Sequence, residues 1–173
     1  SADMYHTFKN GIQGNLMVEG FYTILDDVFT LEDTGETTDD GTASVLERRN
    51  GSGATVMGLN LEARLAFNPW LQLQVGGTLQ KSRYVEPEKW SDNADIAPQR
   101  EMFRTPDHYG YLSSNFYITK QFNASLFGTF TGPMLVQHTE HTTPEGIVVP
   151  DAEVRTPSFV DLGLKLSYTF HLT

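Results

Sequence analysis

The chain has 173 residues, with 22 Asp and Glu against 12 Lys and Arg, and its net charge is −10. This acidity argues against binding nucleic acid or an anionic lipid surface through charge alone. The chain contains no cysteine, so disulfides, thiol catalysis and thiolate metal sites are excluded together. No apolar run approaches the roughly 20 residues of a membrane helix, so any membrane crossing would have to use strands.

The first predicted strands flank an acidic loop. Residues 15–29 alternate in part between apolar and polar side chains, which predicts a strand. Residues 31–44 are rich in Asp, Glu, Gly and Thr and predict a long loop. The chain returns through residues 43–50, and Gly51-Ser52-Gly53 predicts a bend or bulge in one long strand that continues to residue 67.

The strongest pattern covers residues 54–84, where apolar and polar side chains alternate through two arms around Asn68-Pro69. Because side chains of a strand alternate between two faces, the pattern predicts a hairpin with one apolar and one polar face. Strands of globular proteins seldom exceed about 10 residues, and each arm keeps its alternation for longer. Such long amphipathic strands are typical of a large barrel that spans a membrane.

Beyond Tyr84 the sequence predicts two further long loops, one tight turn and three strands. In chain order these are the loop over residues 85–107, the strand over 109–118, the turn over 119–121, the strand over 122–132, the loop over 133–157 and the strand over 158–172. In an up-and-down meander, the long loops would all lie at one end of the sheet and the tight turns at the other. Outer-membrane barrels have this one-sided arrangement.

The predicted fold class is therefore all-β, an antiparallel up-and-down meander of about six long strands that forms part of a large transmembrane β-barrel. Aromatic residues near the tight-turn end would form one interfacial girdle of that barrel. These residues are Phe67, Trp70, Phe122, Tyr168 and Phe170. The alternative is a self-contained soluble β-sandwich or small-barrel binding module, but the long strands and the one-sided loops favour the membrane barrel.

Several stretches resemble the C-terminal β-barrel portion of a TonB-dependent outer-membrane receptor, especially the Bacteroidetes type. They cover nearly the whole chain, and the most specific pattern is Asn-Gly-x-Gly-Ala-x-Val-x-Gly-Leu-x-Leu-Glu, which begins at Asn50. The stretches are residues 18–33, 47–65, 71–90, 102–113, 128–136 and 156–168.

The resemblance implies a bacterial outer-membrane location and a barrel of about 22 strands around a plug. It implies energy-coupled uptake of a scarce nutrient of the iron chelate, cobalamin or glycan class. The implied partners are outer-membrane lipid, the plug domain, an inner-membrane energy-coupling protein and, as a further candidate, a surface lipoprotein. No nucleic-acid partner is expected.

The pattern of such receptors also includes a plug, an energy-coupling box and last barrel strands, none of which occurs in residues 1–173. The whole chain is therefore expected to be a single partial barrel segment, without activity of its own. In isolation it is expected to form a curled sheet, a small barrel or a sandwich-like fold. Water would drive the lipid face either into a core or against another copy of the chain.

No catalytic constellation is present in the sequence, so the chain is expected to be neither an enzyme nor a cofactor protein. An esterase or glycosidase has only scattered polar loop residues in its favour. His138 and His141 flank Glu140 with the spacing of a metal pair, but no helix or strand is predicted there to hold the ligands. No metal site is predicted.

Three charges interrupt the otherwise uncharged polar faces, namely Glu62, Arg64 and Lys165. In a whole barrel they would face the lumen, where they would either touch the plug or pair with each other and stabilise the sheet. Pairing is the favoured interpretation. Loop residues carry function disproportionately, which makes Tyr84, Trp90 and Arg104 candidates for ligand contact, although nothing in the sequence distinguishes them from their neighbours.

Overall fold

The computed structural model describes every residue except 10, 40, 42, 43, 68, 92 and 171–173, and the side chains of 31–33 and 44 also lie outside the description. The strands are β1 Ala2–Thr7, β2 Gln13–Leu25, β3 Phe29–Thr37, β4 Ser44–Asn50, β5 Ala54–Phe67, β6 Leu71–Glu88, β7 Gln99–Glu101, β8 His108–Tyr117, β9 Phe122–Thr131, β10 Leu135–His138, β11 His141–Thr142, β12 Val148–Val149, β13 Ala152–Arg155 and β14 Phe159–Tyr168. In that part of the chain, no helix has the length and apolar character needed to cross a membrane.

The main sheet has the strand order β1-β2-β5-β6-β8-β9-β14, and the short β7 pairs with β6. Every pair in the sheet is antiparallel, and the strands follow one another across it as a meander. The predicted all-β meander is therefore confirmed. Three long loops lie at one end of the sheet: loop 1 (residues 26–53), loop 2 (89–107) and loop 3 (132–158).

The first strand, β1, is an addition to the six predicted strands. It pairs with β2 from Ala2 opposite Val18 to Thr7 opposite Gln13. The turn between them is closed by hydrogen bonds from Phe8 N to Ile12 O (2.8 Å) and from Gly11 N to Phe8 O (2.9 Å). The strand is short and its apolar positions are few, so hydrophobic alternation alone does not reveal it.

The predicted loops contain strands. Within residues 31–44, β3 extends to Thr37 and β4 begins at Ser44, and the two strands pair with each other. β6 continues through the first residues of the predicted loop 85–107 to Glu88, and β7 lies within that loop. In residues 133–157, β10 pairs with β13 and β11 with β12. These pairs need only backbone hydrogen bonds, which form without any hydrophobic alternation in the sequence.

Two predicted strands are interrupted, one where loop 1 leaves the sheet and one where it returns. The strand predicted over 15–29 stops at Leu25, and the strand predicted over 43–67 is divided into β4 and β5. Gly53 has φ of +87°, and a Cβ on it would lie 2.7 Å from the carbonyl oxygen of Leu25. Glycine is therefore required at the second bend, where loop 1 returns to the sheet.

The two faces of the sheet are inverted relative to a soluble protein. The apolar face is exposed, with Leu79 at 58% and Leu162 at 77% exposure, whereas Thr78 and Ser82 on the polar face are buried. The apolar face does not form a core, so that part of the expectation is wrong, whereas association with another copy stays a prediction. The polar face is the sheltered one, and its side chains hydrogen-bond across strands, as from Thr78 to Asn60 (2.8 Å).

Aromatic rings on the polar face lie directly over glycines of the neighbouring strand. The register pairs Phe21 with Gly58, Tyr111 with Gly76, and Phe127 with Gly163. A Cβ on each glycine would approach the partner ring to 2.7, 2.4 and 2.1 Å respectively. The rings thus occupy the space that a side chain would otherwise need, and they cover the backbone of the glycine.

The aromatic residues predicted for a girdle lie at the tight-turn end of the sheet. Tyr168 is the register partner of Phe122, and the Tyr168 and Phe170 rings lie 4.7 Å apart. Trp70, Tyr168 and Phe170 are exposed. Asn68 of the predicted turn lies outside the described residues.

Candidate functional site

The three charged residues predicted on the polar face lie on two different strands, β5 and β14. Arg64 and Glu62 lie two positions apart on β5 and form an ion pair of 2.6 Å. The Tyr111 hydroxyl donates a hydrogen bond to Glu62 and accepts one from Gln74 Nε2 at 2.9 Å. The interpretation that these charges pair with each other therefore holds for Glu62 and Arg64.

Lys165 is not part of that group. It lies on β14 opposite Ser125, and β6, β8 and β9 separate β14 from β5. Within the described part of the chain, Lys165 has no ion-pair partner. Elsewhere on the polar face, neutral groups bond across strands, as between Thr78 and Asn60 (2.8 Å). The polar face is thus a wall of side chains that hydrogen-bond to one another across strands.

A cavity of about 290 Å³ opens at the long-loop end of the sheet. Its lining includes Tyr84, Trp90 and Arg104, the three loop residues proposed from the sequence as ligand contacts. The remaining lining residues are Phe29, Thr30, Arg48, Glu88, Lys89, Phe103 and Gln137. The sequence reasoning missed these residues, because they meet only after three loops fold together and no local pattern marks them.

Trp90 forms a fixed wall of the cavity. Its side chain is 6% exposed, and its ring meets that of Phe103 edge to face at a centroid distance of 6.2 Å. The indole Nε1 donates a hydrogen bond of 3.0 Å to Glu153 Oε1 of loop 3. Packing and a charged acceptor together hold the indole in one orientation.

Arg104 is presented by an unusual backbone conformation. Its φ is +57°, and its amide N donates a 2.7 Å hydrogen bond to the carbonyl oxygen of Leu135. A non-glycine residue in the left-handed region is uncommon, and such residues are concentrated at functional sites. Here the contact with loop 3 holds the conformation in place.

Loop 1 joins the cavity through Glu88. The carboxylate Oε1 accepts hydrogen bonds from the amide N (3.3 Å) and hydroxyl (3.2 Å) of Ser52. The Ser52 hydroxyl in turn accepts one from the Glu86 amide at 3.1 Å. The segment at which loop 1 returns to the sheet is therefore hydrogen-bonded to the C-terminal end of β6.

The cavity lining carries more positive than negative charge. Its ionisable residues other than Tyr84 are Arg48, Lys89, Arg104 and Glu88. Glu88 is hydrogen-bonded to Ser52, and neither Arg48 nor Arg104 has an ion-pair partner among the residues that the structure describes. In a chain of net charge −10, this local excess of cations favours an anionic ligand.

Two histidines of loop 3, His138 and His141, lie next to each other. The rings of His138 and His141 have centroids 4.9 Å apart. Over the described ranges of the chain, no group of three or more His, Cys, Asp or Glu side chains is arranged to hold a metal ion.

Comparison with known proteins relates the chain to receptor barrels by structure alone. No protein-family model matches the sequence, and no curated protein is similar to it. The ferric-catecholate import receptor Fiu from E. coli K12 is 17% identical with a TM-score of 0.53, and the match covers 96% of this chain and 20% of Fiu. The siderophore receptor PirA from Acinetobacter baumannii is 14% identical with a TM-score of 0.55, covering 96% of this chain and 24% of PirA.

The chain shares the fold of part of the β-barrel of these two proteins. It spans about a fifth to a quarter of the length of these two receptors. Their sources are E. coli and Acinetobacter, and the resemblance to the Bacteroidetes type stays a prediction.

Proposed function

We propose that the chain is a barrel-wall segment of a TonB-dependent receptor that takes up a scarce nutrient across the bacterial outer membrane. The observation that carries the proposal is the inversion of the sheet, whose apolar face is exposed and whose polar face is sheltered. Such a face is unfavourable in water, because burial of apolar surface stabilises a protein by about 25 cal/mol per Å². The acyl chains of membrane lipid would cover this apolar face.

The dimensions of the sheet support this assignment. β14 and β9 pair over ten residues from Phe159–Thr131 to Tyr168–Phe122. At about 3.3 Å per residue and a tilt of about 40°, such a strand rises roughly 25 Å, the height of the apolar band of an outer-membrane barrel. The exposed aromatic residues at the tight-turn end would then lie at one membrane interface.

Of the nutrient classes considered, the cavity favours an iron chelate. Arg48 and Arg104 supply positive charge for an anionic complex. Trp90 and Phe103 supply ring surfaces for flat groups. A cobalamin or glycan would use less of this charge. The name of Fiu, a ferric-catecholate receptor, agrees with this choice.

The other parts of the proposal follow from the receptor assignment. The partners are outer-membrane lipid, a plug domain, an inner-membrane energy-coupling protein and, as a further candidate, a surface lipoprotein. The chain has no enzymatic role and needs no cofactor. Since it spans about a quarter or less of the receptors it matches, it supplies wall and loops and does not transport alone.

Spin labels on neighbouring residues of β14 test the lipid face. Labels replace Leu164, which is 66% exposed on the apolar face, or Lys165 on the polar face, in the whole protein in outer membranes. We expect oxygen, which partitions into lipid, to relax the label at 164, and a water-soluble nickel complex to relax the label at 165. Equal accessibility of both labels to the nickel complex would refute the membrane assignment and favour the soluble binding module.

A further inference from the structure

Loops 2 and 3 are joined by several side-chain contacts. Glu101 of loop 2 pairs with Arg155 of loop 3 at 2.6 Å, and the hydrogen bond and charge of Glu101 raise the pKa of the Arg155 guanidinium. Ser91 donates a hydrogen bond to Asp151. These contacts hold the two loops together independently of the cavity.

Glu153 is the contact that reaches the cavity wall. Its Oε1 accepts from Trp90 Nε1 at 3.0 Å, and its Oε2 accepts from Gln99 Nε2 at 2.9 Å. Glu153 does not line the cavity. Its register partner on β10, Gln137, does line it. Both carboxylate oxygens of Glu153 are thus used to orient side chains of loop 2 from behind the wall.

We propose that Glu153 is the positioning residue of the cavity, through which loop 3 sets the orientation of Trp90 and thereby the affinity for ligand. A buried indole N–H needs an acceptor, and the structure supplies Glu153 for it. Without that acceptor the indole would turn towards water and the wall would lose its shape. The affinity part of the inference rests on the proposed function, whereas the orientation of Trp90 does not.

The test uses the full-length protein that contains this chain, labelled with 5-fluorotryptophan in detergent. The ¹⁹F resonance of Trp90 is assigned by its loss in W90F. The variants are E153A and E153Q, because the amide oxygen of Gln can still accept one of the two hydrogen bonds. R155A is the matched control, since it breaks a loop 2–loop 3 contact away from Trp90, and E145A is an exposed control in the same loop.

The expected result separates Glu153 from its neighbours. E153A shifts or broadens the Trp90 resonance and weakens binding of a ferric tris-catecholate probe about tenfold, the effect expected from loss of a buried charged hydrogen bond. E153Q retains part of the affinity. R155A and E145A leave the Trp90 resonance in place.

Two outcomes would overturn the inference. One is an unchanged Trp90 resonance in E153A. The other is an equal shift in R155A and E153A, because any loosening of the loops would then have the same effect. If the probe binds neither the parent protein nor the variants, the proposed ligand class is wrong, and the ¹⁹F resonance still decides whether Glu153 positions Trp90.

Discussion

At the residue scale, the polar face depends on glycines that make room for rings. The Tyr111 ring lies over Gly76, and its hydroxyl bonds to Glu62 and Gln74. The ring cannot move aside without breaking these hydrogen bonds. Gly76 is therefore needed for space rather than for backbone freedom.

Gly76→Ala is expected to destabilise the folded barrel by about 1–3 kcal/mol, the usual cost of overpacking, because the new Cβ would lie 2.4 Å from the Tyr111 ring. Urea unfolding of the whole protein in detergent measures the change. Gly77→Ala is the matched control, since its Cβ would meet only the Tyr109 carbonyl oxygen at 3.7 Å. Equal destabilisation by both substitutions would show that the ring contact is unimportant.

The sequence predicted the face of each of these residues but not their contacts. Alternation places Tyr111 and Gly76 on polar faces, because side-chain direction along a strand is a local property. Their pairing depends on the register between β6 and β8. These two strands are separated in sequence by loop 2, so no local pattern sets that register. The expected pairing of three charges is found for Glu62 and Arg64, two positions apart on one strand, and is wrong for Lys165, because three strands separate it from them.

At the element scale, the β3–β4 hairpin is separate from the main sheet. The two strands pair with each other, and the β2–β5 pairing ends at Leu25 opposite Ala54. Gly51 N donates a 2.7 Å hydrogen bond to Val28 O, so the chain enters and leaves the hairpin at one point. The hairpin therefore contributes residues to the cavity without supporting the barrel wall.

Replacing residues 29–50 by an Asn-Gly turn is expected to leave the barrel folded, because no strand of the main sheet is interrupted. Compact migration of the unboiled protein in a detergent gel measures folding. Deletion of Asn60 alone is the contrasting variant. It shifts part of β5 by one residue, moves its apolar side chains to the polar face and should abolish the compact form. If the Asn60 deletion variant folds, or if the variant without residues 29–50 does not fold, the β3–β4 hairpin is not separate from the main sheet in the way proposed.

At the scale of the whole molecule, the exposed apolar face determines the behaviour of the isolated chain. Leu162, Leu164 and Leu166 on the edge strand β14 are all at least 60% exposed. β1 and β14 are the two edges of the sheet, and open edges invite pairing with other chains. Both features favour association in water.

The 173-residue chain is expected to be monodisperse in detergent micelles and to associate when detergent is removed. Detergent covers the apolar face. It thereby removes the driving force for association, which is roughly 25 cal/mol per Å² of apolar surface buried. Light scattering coupled to size-exclusion chromatography measures the mass in both conditions. A monomer in plain buffer with a sharp, reversible thermal transition would instead support the soluble binding module.

The amino-acid order was sufficient to specify the long strands, their two faces and the end at which the long loops lie, because strand periodicity and turn residues are local properties. Local patterns could not specify three further features: the outward direction of the apolar face in the isolated chain, the strands within the loops, and the meeting of Tyr84, Trp90 and Arg104 around one cavity. These features depend on strand register and on contacts between loops far apart in sequence. They exist only after the chain has folded.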